Sequence, residues 1–411
     1  MADRNVAPTD ADDGVSATFD GRFQTGHVLS ISFAHAANDT YTSFLAPLLP
    51  TLIGRLSLSN TQAGLLALIQ SSPSLIQPMI GHLADRASLR YLVILGPALA
   101  ATMMSLLGIA PGYAVAAFLV LIAGLSSASL HAAAPAMAGR LSGLQLGRGV
   151  GLWNVGGYLG LALGPFLVAG TVKFLSVEGT PWLMLGGWLA SAILYIRLRK
   201  VALHTATHAL AAPWRKGWDL LRPLLPPMAG LTLTRALLYA ASVTFLPTLL
   251  TEQGSDIWRA GLALSTVQVA SAMGAFAAGS LSDRFGRRSV ILASIVVTSA
   301  LLVTVVLLRG WTQMAVLLAL GASSPATHVV LMAMVQEHCP DNRALANGVF
   351  LSLAFLSESV GAVVLGALAD LFGLRIAFII SAAVLLAGLP LVFMLPSQAG
   401  PLASRDVSVS D

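Results

Sequence analysis

Four polar residues, His35, Asn38, Asp39 and Thr42, stand at i, i+3, i+4 and i+7 in a stretch that is otherwise apolar. On a helix this spacing puts all four on one face. Histidine gains or loses a proton near neutral pH, aspartate carries charge, and asparagine both donates and accepts. Such a set can take up a proton, hydrogen-bond a small ligand or ligate a metal ion. Arg235 and Glu358 are further charges in apolar surroundings, and His131 and His328 recur 197 positions apart. Trp153 and Asn154 open another apolar stretch, where they would line the same interior or an interface between segments.

The elements that must position these groups follow from composition. Of 411 residues, 56% are hydrophobic and 10% charged, with a mean hydropathy of +0.80. A soluble domain carries roughly 25% charged residues and has too little interior to hide so much apolar surface. Apolar stretches of about 20 residues follow one another, each long enough to cross a bilayer core of about 30 Å. Inside lipid the backbone must satisfy its own hydrogen bonds, so the spans are expected to be helices. Twelve are expected, at 27–53, 61–83, 91–110, 113–137, 149–174, 181–198, 224–250, 259–281, 288–308, 312–335, 346–368 and 375–395. An ionisable residue inside such a span is costly and marks function by default.

The chain also repeats itself. Gly124-Leu-Ser-Ser-Ala-Ser-Leu-His131 returns as Gly321-Ala-Ser-Ser-Pro-Ala-Thr-His328, and Leu49-Pro-Thr-Leu52 as Leu246-Pro-Thr-Leu249. Matches in one order at nearly one offset imply two halves of common architecture, the plan of many secondary transporters, whose site lies near the membrane midplane. The expected fold is thus an all-α integral membrane protein, with twelve helices in two pseudo-symmetric six-helix bundles. Residues 1–26 form an N-terminal tail and 27–198 the first bundle. A linker covers 199–222, the second bundle 223–395, and a C-terminal tail 396–411. The linker holds His204, His208, Arg215, Lys216 and Asp219 around Trp214 and Trp218, and is expected to include a short amphipathic piece on the membrane surface.

Seventeen Lys and Arg fall in segments on the N-terminal side of the membrane and five in the opposite loops, leaving Arg235 in a span. The positive-inside rule therefore predicts both termini in the cytoplasm, with the chain in the inner (cytoplasmic) membrane. The basic residues are scattered between spans, so the high pI of about 9.7 carries topology and no nucleic-acid partner is expected. A lone Cys339 makes an internal disulfide impossible.

Gly81-His-Leu-Ala-Asp85-Arg86, with Arg90 further on, lies between spans two and three. Gly279-Ser-Leu-Ser-Asp283-Arg284-Phe-Gly-Arg-Arg288 lies between spans eight and nine. This pair resembles the duplicated cytoplasmic loop signature of the major facilitator superfamily. Glycine lets helices approach, and Asp with Arg can hold the inner ends of the halves together until the cavity opens inward. Anchoring of the loop is the plainer role for the same charges. Gly160-Leu-Ala-Leu-Gly164-Pro165 in span five resembles a motif of proton-coupled exporters in that superfamily. Small residues at this spacing would also serve helix packing alone.

His35-Ala-Ala-Asn38-Asp39 with Pro47 and Pro50, Gln77-Pro78, His131, and Gln336-Glu337 with Asn347-Gly348 resemble the fosmidomycin-resistance family of drug exporters. Where that family is expected to follow the span-four histidine with Pro-Glu, this chain has Ala132-Ala133, so a carboxylate is missing. The resemblance implies a proton-coupled exporter (an antiporter) of small drugs or metabolites working by alternating access. Asp39 and Glu358 are the expected proton carriers. His35, Asn38, Arg235, His131, His328, Trp153 and Asn154 are the expected substrate contacts. The repeat offset maps Asn38 onto Arg235, so Asp39 and Arg235 are expected to pair across the midplane, and an anionic substrate would suit Arg235. The expected partners are the substrate, protons and the lipid bilayer, for a monomeric chain.

An importer, or a dedicated metabolite, siderophore or lipid exporter, would share every one of these features. His35 and Asp39 at i, i+4 could also ligate a metal in an intramembrane enzyme. No H-E-x-x-H or nucleophile elbow accompanies them, so no enzyme, cofactor or metal is expected. The chain has no Gly-rich phosphate loop, which excludes an ATP-driven pump from the readings.

Overall fold

The computed structural model describes residues 23–77, 79–80, 90–142, 146–201, 214–339 and 343–396. Helices dominate and no strand occurs among them. The first half contains α1 (Thr25–Thr42), α2 (Leu45–Leu56), α3 (Asn60–Ser71), α4 (Arg90–Leu107), α5 (Tyr113–Leu141), α6 (Leu146–Leu175) and α7 (Met184–Leu198). A short helix, α8 (Trp214–Leu221), stands where the linker was expected to carry one. The second half contains α9 (Leu225–Tyr239), α10 (Leu246–Glu252), α11 (Ile257–Phe285), α12 (Arg287–Leu307), α13 (Gly310–Ser323) and α14 (Ala326–His338). It ends with α15 (Arg343–Phe372), α16 (Leu374–Leu386) and α17 (Leu389–Phe393).

Among the described residues, nine helical stretches are long and apolar enough to cross a membrane, and a bent pair, Leu225–Thr244 with Leu246–Glu252, makes a tenth if it is one span. Each half breaks its first span at the same place in the repeat. Pro47 cannot donate to the Ser43 carbonyl, nor Pro247 to that of Val243, so the helical ladder is interrupted four residues before each proline. The result is the α1–α2 junction at Ser43–Phe44 in one half and a π turn (Ala240–Thr244) with a 57° bend in the other. The second expected span, 61–83, runs as α3 into a 3-10 turn (Ser72–Ile76) and then beyond the described residues.

Large apolar side chains such as Phe276 and Trp311 stand almost fully exposed, as a surface against lipid tails requires. The halves meet where α6 packs on α11, α3 on α15 and α2 on α10. Small residues permit the approach. A Cβ on Gly64 would lie 2.4 Å from the Ala362 carbonyl oxygen, and one on Gly366 2.3 Å from that of Asn60. Any side chain at either position would force the halves apart.

Polar contacts add to that packing at one end of α3 and α15. The Asp370 carboxylate at the end of α15 accepts from the backbone N–H groups of Asn60 (2.7 Å) and Thr61 (2.8 Å) and from the Thr61 hydroxyl (2.5 Å). It thereby caps α3 of the other half with negative charge at a helix N-terminus. At the same end Lys173 of α6 lies 3.6 Å from Asp256, the N-cap of α11. The Arg259 N–H bonded to Asp256 holds its carboxyl below the ordinary carboxylate range, with Lys173 adding to the effect. Phe174 and Trp258 also meet there, with ring centroids 6.0 Å apart.

Candidate functional site

Between the halves lies an interior space in two adjoining chambers, of about 220 Å³ and about 190 Å³. Both are lined by Tyr239, Gln268, Phe355 and Glu358, and both receive Leu161 from the first half. Pro165, Ser127 and Gln70 line the larger, whereas Arg235 and His328 line the smaller.

In the second half, α9 packs directly against α15 and brings Arg235 Nη1 within 2.5 Å of Glu358 Oε1. Both side chains are largely buried. Only one guanidinium nitrogen is engaged by the carboxylate, so the fork that could grip a carboxylate or phosphate with two parallel bonds is half used. Tyr239 lies beneath the guanidinium, its ring centroid 5.8 Å from Arg235 Cζ. His328 joins the same chamber wall and packs on Phe350 at 5.0 Å between ring centroids.

The first half assembles a separate cluster. His35 Nε2 lies 3.1 Å from Asp39 Oδ2 and 3.1 Å from His131 Nε2, and His131 Nε2 lies 3.7 Å from Asp39 Oδ1. Asn38 donates to Asp39 Oδ1 (3.0 Å) and to the Ser127 hydroxyl (3.2 Å). Trp153 stacks on the His35 ring at 4.0 Å and 14°. Glycine makes this possible, since a Cβ on Gly157 would meet His35 Cε1 at 2.4 Å.

Along the same face, added Cβ atoms on Gly156, Gly160 and Gly164 would lie 2.2, 2.4 and 2.1 Å from the carbonyl oxygens of Ser32, Ala36 and Thr40. Three glycines at four-residue spacing therefore seat α6 on three successive turns of α1. The small-residue motif in span five is thus a packing surface, and Pro165 beside it reaches the cavity wall.

The expected pair of Asp39 with Arg235 does not form. Arg235 is satisfied by Glu358 on the helix beside it, within its own half, while Asp39 is enclosed by His35, His131 and Asn38 in the other. The structure thus divides the expected site residues between two clusters. His35, Asn38, Asp39, His131 and Trp153 gather in one, and Arg235, His328 and Glu358 in the other. Asn154 is exposed and joins neither.

Gly81, Asp85 and Arg86 of the first loop lie outside the described residues. Arg90 donates to the Val201 carbonyl (3.2 Å). In the second loop Asp283 pairs with Arg287 at 2.7 Å, and Arg287 pairs with Glu337 at 2.5 Å. Arg284 is exposed over Phe285, and Arg288 bonds the carbonyls of Phe393 and Leu395. A Cβ on Gly279 would meet nothing within 4 Å. These described loop contacts stay within one half. Sequence reasoning missed Glu337 as the partner of Arg287 and the Asp370 cap. A carboxylate near the end of an apolar stretch was the available signal for Asp370.

The sequence pattern described as Major Facilitator Superfamily matches residues 31–257 and 228–408. A protein named Fosmidomycin resistance protein from Escherichia coli (strain K12) is 26% identical over 390 residues, covering 92% of this chain and 95% of that one. An uncharacterized MFS-type transporter, YfnC, from Bacillus subtilis (strain 168) is 28% identical, covering 90% and 93%. Among solved structures, a bacterial homolog of the human lysosomal transporter Spinster, inward-facing and occupied, superposes with a TM-score of 0.73 at 14% identity, over 91% of this chain and 97% of that one. The nucleoside transporter NupG gives 0.69 at 15% identity, over 90% and 100%. The helical architecture and the matched sequence pattern agree along nearly the whole chain, which belongs to the major facilitator superfamily of membrane transporters.

Proposed function

We propose that this transporter is a proton-coupled exporter of small anionic drugs or metabolites, working as a monomer by alternating access. The observation that carries the reading is the buried Arg235–Glu358 pair in the wall of the chamber between the halves. While Glu358 is ionised it neutralises Arg235. A proton on Glu358 removes that partner and leaves a guanidinium whose unpaired burial is costly. An anionic group on a substrate then satisfies it, with His328 as a nearby hydrogen-bonding group. Proton uptake and anion binding thereby favour each other by linkage, so this pair favours movement of both in one direction over the exchange that the resemblance implies. Glu358 takes the carrier role, since Asp39 lies in the other cluster.

The distribution of basic residues supports an inner-membrane orientation with cytoplasmic termini. In that orientation the end latched by Asp370 faces outward. The loop charges, Asp283, Arg284 and Arg288 with Asp85, Arg86 and Arg90, close across the halves in the opposite state. The name of the Escherichia coli relative and the Gly160–Pro165 motif support export over import.

The test is transport in proteoliposomes carrying an imposed pH gradient, with a labelled small phosphonate and a labelled lipophilic cation, while binding is measured separately. Wild type is expected to accumulate the phosphonate. Glu358→Gln is expected to bind it but lose gradient-driven accumulation, and Arg235→Ala to lose phosphonate binding. Full accumulation by Glu358→Gln, or a cation transported regardless of Arg235, would sink the reading.

A further inference from the structure

The first-half cluster has a property that packing does not explain. His35 Nδ1 lies 2.8 Å from the Trp153 carbonyl oxygen, and His131 Nδ1 lies 2.9 Å from that of Ser127. A carbonyl oxygen only accepts, so each Nδ1 carries the hydrogen, and a ring that is neutral presents its lone pair at Nε2. Both lone pairs are aimed at one another and at the Asp39 carboxylate, itself an acceptor. With both rings neutral, three electron-rich groups converge, an arrangement that a shared positive charge makes favourable, whether a proton on His35 or a metal ion held by all three.

The separations identify the kind of cation. Metal–ligand bonds of about 2.0–2.1 Å in a tetrahedral site put neighbouring ligand atoms about 3.3–3.4 Å apart. Here the two imidazole nitrogens are 3.1 Å apart, one carboxylate oxygen lies 3.1 Å from His35 and the other 3.7 Å from His131, and the three ligand atoms lie within 4.8 Å of one another. Two imidazoles and one carboxylate are donors that suit zinc and its first-row neighbours, whereas magnesium and calcium call for oxygen ligands. Each imidazole is oriented from behind by a backbone carbonyl, which fixes tautomer and aim as outer partners do in metal sites. Asn38 does the same for the carboxylate. His35 and Asp39 are buried, but the His131 side chain is 24% exposed, and Ser127 one turn away lines the larger chamber. An ion can therefore reach the centre past His131 and keep a fourth position for water.

We infer that His35, Asp39 and His131 form a three-ligand binding site for one divalent transition-metal ion of the zinc class, set in the wall of the first half. The site overturns the expectation of no metal drawn from the absence of metalloenzyme motifs. Here α1 supplies two ligands one turn apart, with aspartate in the place of a second histidine, and α5 supplies the third. The inference does not depend on the direction or substrate of transport.

The test uses the full chain in detergent with an affinity tag free of histidine. Cobalt(II) is titrated as a spectroscopic probe and zinc by calorimetry, with folding checked by melting and gel filtration. Wild type is expected to bind one ion per chain, with the visible absorption of four-coordinate cobalt and a zinc-induced rise in melting temperature. Asp39→Asn and His131→Ala are expected to weaken binding at least tenfold and abolish the cobalt band. A linker variant, His204→Ala with His208→Ala, is expected to retain both. No saturable binding by folded wild type overturns the inference, as does full binding by folded His131→Ala. Loss of binding in the linker variant alone also overturns it and moves the site to the linker. Should Asp39→Asn not fold, His131→Ala and the zinc-dependent melting shift decide.

Discussion

Arg235 and Glu358 in the second half meet at 2.5 Å and cancel each other's charge. In the first half, Asp39 faces two histidines whose hydrogens are turned away toward backbone carbonyls. One half pairs its two charges directly, and the other gathers a carboxylate and two imidazoles into one cluster. The contrast arises although both halves descend from one repeated pattern, with Asn38 and Arg235 at equivalent positions. A duplicated scaffold can thus keep its helix packing while its midplane residues diverge toward different ligands.

The sharpest way to break this comparison is to unbalance the closed pair. Arg235→Ala alone is expected to cost about 3–5 kcal/mol of stability, since it strands a buried carboxylate. The double change Arg235→Ala with Glu358→Ala should cost less than that single one, as measured by chemical unfolding in detergent. A double variant as unstable as the sum of the two singles would show that the charges do not neutralise each other.

A smaller effect is expected in the first half, where geometry matters more than charge balance. Gly157→Ala places a methyl against the His35 ring and is expected to cost about 1–3 kcal/mol by overpacking. Melting in detergent measures this, and it should fall short of the Arg235→Ala loss. Equal losses would mean that the clusters differ in composition but not in kind.

Smallest of all is the contribution at the rim. The Lys173–Asp256 pair is exposed on both sides, so Lys173→Ala is expected to cost less than about 1 kcal/mol. The Asp256 carboxyl is held below its ordinary range chiefly by the Arg259 N–H. Its contribution is present at neutral pH and lost only as pH falls below the usual carboxylate range. Stability of Lys173→Ala and wild type compared from pH 7 to pH 3 should show the same acid-side decline in both. A decline confined to wild type would place the stabilisation in the ion pair instead.

The architecture was legible because lipid imposes length and apolarity on every span, and because the repeat exposes the two halves directly. Periodicity also placed His35, Asn38 and Asp39 on one face. Which charges meet was not legible, since i, i+4 spacing describes one helix and says nothing of its neighbours. Asn38 and Arg235 do occupy equivalent positions, yet α15 stands beside α9 and supplies Glu358 first. Nor did spacing reveal that the Trp153 and Ser127 carbonyls fix the imidazole tautomers, because any residue supplies a carbonyl. The glycines of span five were read correctly as small, but their partner, α1, is a fact of packing alone.

The cap that Asp370 places on α3 has a consequence for how this protein can vary. Two of its three hydrogen bonds come from main-chain amides of Asn60 and Thr61, which every residue except proline provides. Substitution at position 60 would leave the clasp intact, whereas a single change at 370 removes all three bonds together. The two sides of the closure are thus unequally exposed to mutation, with tolerance on one helix and dependence on the other. A lineage that altered the strength of this closure would be expected to do so at residue 370, without adjusting the partner across the gap.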